Sequence, residues 1–571
     1  MIIILIKIFI IYVVYILKFL YMFKKDLFFK FSIFFVFLIV SLPVAGMIVL
    51  ALNVFADFST ISNLKNSVLF IYSINTFYLC LGTLSVALLI STPTAWILTF
   101  YNLPFRRVME WLYILPMVIP AYVLAYAYTD ALDYSGWLSI LVREKVFQFG
   151  LITDPQFQRS FWPEIRSLSG ACFVLGIALS PYLTLFLRAA FESRQLNLVD
   201  AASGMGVAGF RLFFTVTLPL ARPALIAGSS LVVMECLADY GTVSYFSVQT
   251  LSSGLYKAWF GYGDLNTASL IGIAMLFVAF FALTSERLFK HPKGYGKSNV
   301  INNLKKLNLN TKNKCFAFFV CSFGGFFGFL LPVTFLLKAS LDEINMGYFT
   351  NDTFFNLIES MIYSVFYAFL SVFIIILFAL FIAYAVRYSS SKKLNFFVQF
   401  LLSGYAVAGL VASISLLFLS GLLTVFLSEF FSITFSLATT GILLMIAYTS
   451  RFFAVGYNPI SVGLIGIGKS LDNSAYTFGL TKTNLIIRLH LQLLRPASIL
   501  AATLIFIDVI KELPATLVLR PLGVETLAVS AYNLASDERL GAAALPSLLI
   551  SLIGIFPLLV IKDRWCEIKN T

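Results

Sequence analysis

Long apolar runs, separated by short polar breaks, cover the chain from Phe31 to Ile561. A helix of about 20 apolar residues crosses the core of a lipid bilayer and satisfies its own backbone hydrogen bonds there. The pattern therefore predicts an all-α integral membrane protein with about twelve transmembrane helices beyond Met22. The predicted spans lie near residues 30–54, 68–98, 107–128, 169–191, 222–246, 266–286, 315–338, 360–386, 395–420, 431–455, 495–519 and 543–561.

The composition excludes a soluble protein of this length. Apolar residues make up 60% of the 571 positions, charged residues make up 12%, and the mean hydropathy is +0.93. The formal net charge of +13 would suit a nucleic-acid partner if it lay on one soluble face. The Lys and Arg residues instead occupy short loops between apolar runs, as in the cytoplasmic loops of membrane proteins. We therefore predict no nucleic-acid partner.

The cysteines and the extreme N-terminus add little chemistry. The cysteines show no CxxC spacing and lie mostly within apolar runs, so we expect neither a disulfide framework nor a metal site. They are Cys80, Cys172, Cys236, Cys315, Cys321 and Cys566. Residues 1–21 are apolar but are interrupted by Lys7 and Lys18, and they lack a signal-peptide cleavage pattern. This extra segment is a thirteenth span, an interfacial helix or the product of an early start codon, and the last two are favoured.

Basic residues fall in alternate loops and predict the orientation of the chain. They are Arg106, Arg107, Arg194, Arg211, Arg222, Arg387, Lys392, Lys393, Arg451, Lys469, Lys482 and Arg488. The loops on the other side, such as 340–345 and 535–540, are acidic or mixed. By the positive-inside rule the basic side is cytoplasmic, and with twelve spans both termini join it. Six spans in each half would give the two halves the same orientation, as in a parallel repeat.

A constant offset between polar positions indicates a sequence duplication. Gly206 corresponds to Gly479, which gives an offset of 479 − 206 = 273. The same offset relates Arg222-Pro223-Ala224 to Arg495-Pro496-Ala497, Glu235 to Asp508, and Asp239 to Glu512; farther along, Tyr256 corresponds to Tyr532 at an offset of 276. We therefore predict a first repeat over 22–288, a basic cytoplasmic linker over 289–314 and a second repeat over 315–571.

A polar stretch over 200–224, between the fourth and fifth predicted spans, carries the most specific motif. It is similar to the EAA loop of binding-protein-dependent ABC importer permeases, with Asp in the place of Glu. The positions that match are Asp200, Ala201, Ala202, Gly206, Val216, Leu218 and Pro219. The resemblance implies a loop that docks a separate ABC ATPase. Small residues would seat a short helix in a cleft, and the glycine would permit a turn where a side chain would clash.

The second copy of this motif, over 473–497, is less regular. Asn473 and Ser474 replace the first two motif residues, and Gln492 replaces the proline. Ala475, Gly479, Leu489 and Leu491 are retained. If both loops dock identical ATPases, we expect damage to the first loop, for example at Gly206, to reduce transport more than damage at Gly479.

The segment GLIGIGKS, over 463–470, matches the phosphate-binding pattern G-x-x-x-x-G-K-[S/T]. A nucleotide site requires that loop to follow a buried strand and to open a helix. Here it follows a predicted transmembrane helix that ends near Asn458, and residues of the first half at the same offset lack the pattern. We interpret the match as chance and expect no nucleotide, metal or other cofactor in this chain.

Carboxylates in the fifth and eleventh predicted spans are the candidate translocation residues. Glu235 and Asp239 are four residues apart, as are Asp508 and Glu512, so each pair lies on one helix face. Ionisable groups in a membrane usually face a water-filled path. A path lined by these carboxylates would favour a cationic substrate. The alternative is local pairing with Lys511. The histidines, His291 and His490, are expected to be solvated.

Two further blocks, over 240–264 and 511–548, are similar to segments of fused ferric-iron importer permeases. Lys511-Glu512-Leu513-Pro514-Ala515-Thr516 and Arg520-Pro521 carry this resemblance, which extends from about Asn75 to Leu548. It implies a type I permease fold and a multi-pass permease, not an enzyme, in a bacterial inner membrane. The expected partners are a periplasmic substrate-binding protein and two copies of a cytoplasmic ABC ATPase, which would bind ATP and Mg. A thiamine importer is the nearest alternative, and an ion-coupled secondary transporter is a third.

Overall fold

The computed structural model describes residues 26–55, 69–148, 162, 164–193, 201–207, 209–289, 307–308, 310–388, 392–432 and 436–570. These residues are almost entirely helical, which confirms the all-α prediction. Within them the strands are Tyr101–Asn102 and Leu307–Asn308, which pair in parallel. Residues 1–21, Asp200, His291 and most of the linker over 289–314 lie outside the described residues.

Short 3₁₀ and π segments separate several of the α-helices. The α-helices are Asp26–Phe55, Leu69–Phe100, Arg106–Leu112, Ala121–Leu132, Trp137–Gln148, Leu168–Ser193, Gly209–Leu212, Leu218–Leu220, Arg222–Ala238, Gly241–Tyr245, Leu251–Tyr256, Leu265–Phe289, Thr311–Gly325, Leu331–Asn345, Asn351–Tyr388, Lys392–Leu402, Gly409–Phe431, Ile442–Gly466, Lys469–Thr477, Lys482–Leu485, Leu491–Leu493, Arg495–Ile510, Pro514–Leu519, Leu527–Ser536 and Leu540–Asn570. The π segments are Phe213–Thr217, Lys257–Gly261, Phe326–Leu330 and Ile486–His490. The 3₁₀ segments are Leu115–Val118, Ser403–Ala406 and Leu437–Thr439.

The chain forms two compact units, and each combines segments from both predicted repeats. One unit comprises Met1–Leu50, Glu359–Thr526 and Ile553–Thr571. The other comprises Ala51–Ile358 and Leu527–Leu552. The compact units therefore do not follow the halves of the sequence, whereas the division into two repeats remains a prediction about duplication.

In the first unit, the helix that begins at Asp26 packs against helices from the second half of the chain. Ser450 Oγ donates a hydrogen bond to the carbonyl of Val40 at 2.7 Å. A Cβ on Gly46 would lie 2.8 Å from the carbonyl oxygen of Ser415, so this glycine permits a close helix approach. The ring of Phe37 lies 5.1 Å from that of Phe397.

In the second unit, the helices that begin at Thr311 pack against helices from the first half. The Tyr128 hydroxyl donates to the carbonyl of Phe327 at 2.5 Å. A Cβ on Gly325 would lie 2.2 Å from the carbonyl oxygen of Leu112, and one on Gly328 would lie 2.7 Å from Pro116. Glycines thus bring backbones together in both units, as is common between membrane helices.

The described residues contain seven helices that are long and apolar enough to cross a membrane, or up to ten if each bent pair is one span. The predicted span near 107–128 is not one straight helix, because the chain bends by 95° between Arg106–Val118 and Ala121–Lys145. Pro120 lies at this bend, where it has no N–H to continue the preceding helix. The count of twelve remains a prediction.

The predicted spans 395–420 and 431–455 are also wrong in their bounds. The helix Lys392–Leu402 and the 3₁₀ segment Ser403–Ala406 precede a separate helix, Gly409–Phe431, and the next long helix is Ile442–Gly466. Ala408 takes an extended conformation with ψ 143°. Small and apolar residues occupy this break, so it carries no polar signal in the sequence.

Candidate functional site: coupling loops and buried carboxylates

The two candidate coupling loops, residues 200–224 and 473–497, begin with the same helix ending. In the first loop, Gly206 has a φ of +84°, its N–H donates to the carbonyl of Ser203 at 3.0 Å, and Val207 N–H donates to that of Ala202 at 3.1 Å. These bonds form a Schellman motif, in which glycine supplies the left-handed residue. Ala201 is exposed and Ala202 is buried. The small side chain of Ala202 lets this turn pack closely.

The second loop repeats this ending at an offset of 273 residues. Gly479 has a φ of +78°, its N–H donates to the carbonyl of Tyr476 at 3.0 Å, and Leu480 N–H donates to that of Ala475 at 3.1 Å. Asn473 and Ser474 are exposed, and Ala475 is buried. No atom of the chain lies within 4 Å of a Cβ built on Gly206 or Gly479. Within the chain, the need for glycine at these positions is therefore conformational; a clash with a partner's cleft remains a prediction.

The return of each loop to its long helix also follows the same offset. The π segments Phe213–Thr217 and Ile486–His490 correspond, as do the short helices Leu218–Leu220 and Leu491–Leu493. The chain then bends by 74° in the first loop and by 60° in the second. Gln492 stands in the place of Pro219, so the second loop lacks a proline before the bend and keeps only Pro496, at the start of the long helix.

Aromatic side chains hold the first loop against the preceding long helix. The ring of Trp96 lies 4.9 Å from that of Phe213 and 6.2 Å from that of Phe210. Trp96 also meets Tyr101 edge to face at 5.2 Å. Ring contacts of this kind add to the energy of burial, so the first loop is attached by apolar packing.

A buried polar network holds the second loop. Arg387 Nη2 lies 2.7 Å from Asp472 Oδ2, and His490 Nε2 lies 2.8 Å from Asp472 Oδ1. The His490 side chain is 0% exposed and stacks on Tyr384 at 5.9 Å. The expectation that His490 is solvated is therefore wrong. Burial opposes ionisation of Asp472, but hydrogen bonds from Arg387 and His490 outweigh it and lower the pKa of Asp472.

Arg387 also binds the segment over 463–470 that resembles a phosphate-binding loop. Its Nη1 donates to the carbonyls of Leu464 at 2.6 Å and Ile467 at 3.0 Å, at the C-terminal end of the helix Ile442–Gly466. A cation is favourable at a helix C-terminus, where the carbonyls are unpaired. A Cβ on Gly463 would lie 2.9 Å from that of Ala497, so this glycine serves helix packing. The segment ends one helix and opens the next, and it presents carbonyls to Arg387 where a phosphate cradle would present N–H groups.

In the second unit, Asp239 caps a short helix. Its carboxylate accepts hydrogen bonds from Thr242 N–H and Val243 N–H at 3.1 and 3.3 Å, at the start of the helix Gly241–Tyr245. Thr242 Oγ1 donates to it as well, at 3.1 Å. Glu235 is half-buried one turn earlier and lies close enough to Asp239 for their charges to interact.

In the first unit, Glu512 caps the corresponding helix and also forms an ion pair. Its Oε1 accepts from Ala515 N–H at 3.3 Å and from Arg451 Nη1 at 2.7 Å. Asp508 pairs with Lys511 at 2.7 Å. Arg451 was expected in a cytoplasmic loop, which is wrong, because it lies inside the helix Ile442–Gly466 and is buried. Its partner Glu512 lies 61 residues away in the sequence, so spacing gave no indication of the pair.

Tyrosines gather beside Asp239 in the second unit. The ring of Tyr240 lies 4.6 Å from that of Tyr256 and 5.9 Å from that of Tyr532. The Tyr532 hydroxyl donates to that of Tyr240 at 3.1 Å and lies 3.1 Å from Ser244 Oγ. Tyr256 and Tyr532 were paired by the offset of 276, and Tyr240 contacts both of these equivalent residues.

An ion pair in the predicted outer loops was not anticipated from the sequence. Arg166 makes two hydrogen bonds to the carboxylate of Glu538, at 2.7 and 2.9 Å. Arg166 Nε also lies 3.6 Å from Asp133. The hydrogen bonds from Arg166 lower the pKa of Glu538, although burial opposes this. Arg166 and Glu538 are 372 residues apart in the sequence, in loops that only the fold brings together.

Comparison with known proteins places this arrangement among transport permeases. Residues 87–290 match the family described as the binding-protein-dependent transport system inner membrane component. The chain is 22% identical over 505 residues to the Fe(3+)-transport system permease protein FbpB 2 of Haemophilus influenzae, and the alignment covers 86% of this chain and 88% of that protein.

Two other relatives cover different shares of the chain. The ferric transport system permease protein FbpB of Actinobacillus pleuropneumoniae is 23% identical over 454 residues, which are 75% of this chain and 62% of that protein. The molybdenum transport system permease protein ModB of Escherichia coli is 26% identical over 215 residues, 36% of this chain and 88% of that protein. The chain is therefore an all-α inner-membrane permease of the binding-protein-dependent ABC importer type, and it is not an enzyme.

Proposed function

We propose that the chain is the permease of a ferric-iron importer and receives Fe³⁺ from a periplasmic substrate-binding protein. The observation that carries this proposal is the similarity to an Fe(3+)-transport permease over 86% of this chain and 88% of that protein. Molybdenum permeases match only 36% of the chain. The extent of the ferric match therefore favours iron over thiamine or another small solute as the substrate.

The two coupling loops support an ATP-driven mechanism. Each presents a left-handed glycine, a π segment and a bend into a long helix, at an offset of 273 residues. We propose that each loop docks one of two identical cytoplasmic ABC ATPases, which bind ATP and Mg. The loops would carry motion of the ATPase pair into the helices that begin at Arg222 and Arg495, and so alternate the access of the substrate path.

The candidate docking residues are those of the family motif and of its second copy. In the first loop they are Asp200, Ala201, Ala202, Gly206, Leu218 and Pro219. In the second loop they are Asn473, Ser474, Ala475, Gly479 and Leu491. With these loops on the cytoplasmic side and twelve spans, both termini of the permease would be cytoplasmic.

The candidate translocation residues differ in the charge they can offer a cation. Lys511 neutralises Asp508, and Arg451 neutralises Glu512. Asp239 caps a helix through backbone N–H groups, and within the part of the chain that the structure describes no Lys or Arg forms an ion pair with it. We therefore propose that Asp239 contributes more to attracting a cationic substrate than Asp508 and Glu512 do.

Uptake by intact cells tests the substrate. A strain that lacks this permease, complemented with the wild-type gene, should accumulate radiolabelled iron, and should not do so when the gene carries both Gly206→Val and Gly479→Val. Radiolabelled thiamine and molybdate serve as the competing substrates. Restoration of thiamine or molybdate uptake without iron uptake would refute the ferric proposal.

Purification tests the energy source. Tagged wild-type permease should co-purify with an ATPase subunit whose hydrolysis depends on the permease and on substrate-loaded binding protein. Uptake that persists after cellular ATP is depleted, while an ion gradient is held, would instead indicate an ion-coupled secondary transporter.

A further inference from the structure

Three hydroxyl oxygens meet in the second unit and form what we call the hydroxyl triangle. The Tyr532 hydroxyl donates to that of Tyr240 at 3.1 Å and lies 3.1 Å from Ser244 Oγ. The Ser244 hydroxyl also hydrogen-bonds with that of Tyr240. Tyr240 and Ser244 come from one short stretch of the first predicted repeat and Tyr532 comes from the second, but all three belong to the same compact unit.

The hydroxyl triangle has the dimensions of one face of a metal coordination sphere. In an octahedral site with metal–oxygen bonds of about 2.0–2.1 Å, neighbouring ligand oxygens lie about 2.9 Å apart. The separations of 3.1 Å from the Tyr532 hydroxyl are close to that distance. Hard, highly charged cations take oxygen ligands, and tyrosine oxygen is a known ligand of iron. The two phenols and the alcohol are therefore oxygen donors already grouped at the spacing of ligands.

The charges near the hydroxyl triangle favour a cation. Asp239 directly precedes its first tyrosine in the chain, and Glu235 lies close enough to Asp239 for their charges to interact. Arg166 Nη2 lies 3.4 Å from the hydroxyl of the neighbouring Tyr245, but Arg166 is paired with Glu538 at 2.7 Å. The positive charge closest to the cluster is thus already balanced, and the negative charge of Asp239 can act on a cation.

The hydroxyl of Tyr126 lies beside the triangle and lacks a partner. Tyr126 is 2% exposed, and within the described part of the chain its hydroxyl makes no hydrogen bond. It lies close enough to Tyr532 and Asp239 for electrostatic interaction with both. Buried polar groups in native proteins are almost always hydrogen-bonded, so this hydroxyl requires a partner. A hydrated cation would supply one, and it could reach the cluster because Tyr532 and Asp239 are only half-buried.

The position equivalent to Tyr240 in the other repeat is apolar. It is Leu513, at 513 − 240 = 273. Leu513 is buried, and the preceding Glu512, which is equivalent to Asp239, is neutralised by Arg451. An apolar side chain therefore meets the packing requirement in the first unit, so packing alone does not require the hydroxyl of Tyr240. The oxygen donors distinguish the second unit from the first at this position.

We propose that Tyr240, Tyr532 and Ser244 form a transient binding site for Fe³⁺ in the substrate path, with Asp239 supplying negative charge beside it. The proposal rests on the proposed ferric function and deepens it, because it assigns the ligands that recognise the ion inside the permease. Each phenol that binds Fe³⁺ exchanges its proton for the metal, and the proton passes to water. The two phenolates and the Asp239 carboxylate then carry three negative charges, which match the charge of the ion.

Visible absorption tests the proposed ligands. Fe³⁺ bound to phenolate absorbs visible light by charge transfer from oxygen to metal. The probe is ferric nitrilotriacetate added to purified permease in lipid nanodiscs, with gallium nitrilotriacetate as a colourless competitor of equal charge. We expect the phenolate band in wild type, its loss in excess Ga³⁺, and no band in the double variant Tyr240→Phe with Tyr532→Phe. Each single variant should weaken Fe³⁺ binding by about tenfold or more, since even outer-shell groups change metal affinity by about 10–100-fold.

Tyr128→Phe is the matched control. Tyr128 is buried in the same unit, and its hydroxyl donates to the carbonyl of Phe327, outside the hydroxyl triangle. Like the two test variants, it loses one hydroxyl and keeps its aromatic ring. It should therefore retain the phenolate band and iron uptake. Thermal unfolding in detergent should show that all of these variants fold.

The outcomes separate this inference from the proposed function. In cells, the double variant should take up radiolabelled iron about tenfold more slowly than wild type. Wild-type uptake by the double variant, or a phenolate band that persists in it, would overturn the site and leave ferric import intact. Loss of the band in Tyr128→Phe would also overturn it, because the band would then report a different tyrosine. A wild-type permease that restores no iron uptake would overturn the proposed function together with the site.

Discussion

The carboxylate of Asp472 lies 2.8 Å from Nε2 of His490, and the His490 imidazole is completely buried. Because the pKa of Asp472 is lowered, its carboxylate is ionised and can only accept, so Nε2 of His490 carries the proton. Arg387 binds the other carboxylate oxygen and two carbonyls at the end of the helix Ile442–Gly466. One carboxylate thus joins the second coupling loop to the ends of two long helices.

We expect loss of this carboxylate to uncouple the second loop. Asp472→Ala leaves Arg387 buried without its anion, and breaking a buried pair costs about 3–5 kcal/mol. The short helix Lys469–Thr477 should loosen, so that ATP hydrolysis by the bound ATPase continues while substrate transport falls by at least tenfold. The transport-to-hydrolysis ratio in proteoliposomes measures this effect.

The control for that prediction lies in the first loop. Trp96→Leu keeps an apolar contact with Phe213, so it should reduce the ratio of transport to hydrolysis much less than Asp472→Ala does. If hydrolysis and transport fall in equal proportion in Asp472→Ala, with the protein still folded, the network has no role in coupling beyond stability.

The ion pair between Arg166 and Glu538 should give a defined dependence on pH. Because the pKa of Glu538 is lowered below its ordinary value of 4.5, the pair stabilises the folded state above that pH, and the stabilisation is lost as pH falls through the lowered pKa. Thermal unfolding of wild type and Glu538→Gln should differ by a constant amount at pH values well above 4.5 and converge as the pH falls through the lowered pKa. The difference should correspond to at most about 1 kcal/mol, because the pair is solvent-exposed.

A difference that instead grows as the pH is lowered would contradict the lowered pKa. Added salt provides a second check, since exposed ion pairs are screened. At pH 7, raising the ionic strength should reduce the gap between the two proteins while leaving the unfolding temperature of Glu538→Gln largely unchanged.

The coupling loops are the part of the structure that sequence reasoning anticipated best. The offset of 273 was found from Gly, Pro and charged positions in the sequence. In the structure the same offset relates the two left-handed glycine turns and the two π segments. Local conformation depends on nearby residues, so a short motif is sufficient to predict it.

Burial and pairing were anticipated least, because they depend on residues that are distant in sequence. Arg387 meets Asp472 across 85 positions, and Arg451 meets Glu512 across 61. Hydropathy assigned Arg451 to a loop because a charge within a span is costly, yet a buried carboxylate offsets that cost. The break at residues 403–408 was missed since its small residues continue the apolar run.

Substitution of either left-handed glycine should cost a similar amount of stability. Gly206→Ala and Gly479→Ala place a Cβ in open space, so each costs about 1–2 kcal/mol through the left-handed backbone alone. We expect this strain to weaken ATPase binding by the alanine variants. Asn tolerates the left-handed conformation better than Ala, so Gly206→Asn and Gly479→Asn should bind the ATPase more tightly than the corresponding alanine variants. If Gly206→Ala reduces transport far more than Gly479→Ala, the first loop carries more of the docking, as its closer match to the family motif predicts.

Asp239 and Glu512 occupy equivalent positions but should differ in their tolerance of an amide. Asp239→Asn keeps an oxygen that accepts the N–H groups of Thr242 and Val243, and Asn caps helices as well as Asp does. Glu512→Gln also keeps the cap but leaves Arg451 buried without its anion, at a cost of about 3–5 kcal/mol. Thermal unfolding in detergent should therefore show Asp239→Asn near wild type and Glu512→Gln strongly destabilised. Adding Arg451→Met to Glu512→Gln should recover stability, because no unpaired charge remains. If iron uptake falls in the stable Asp239→Asn variant, the charge of Asp239 acts on the substrate and not on the fold.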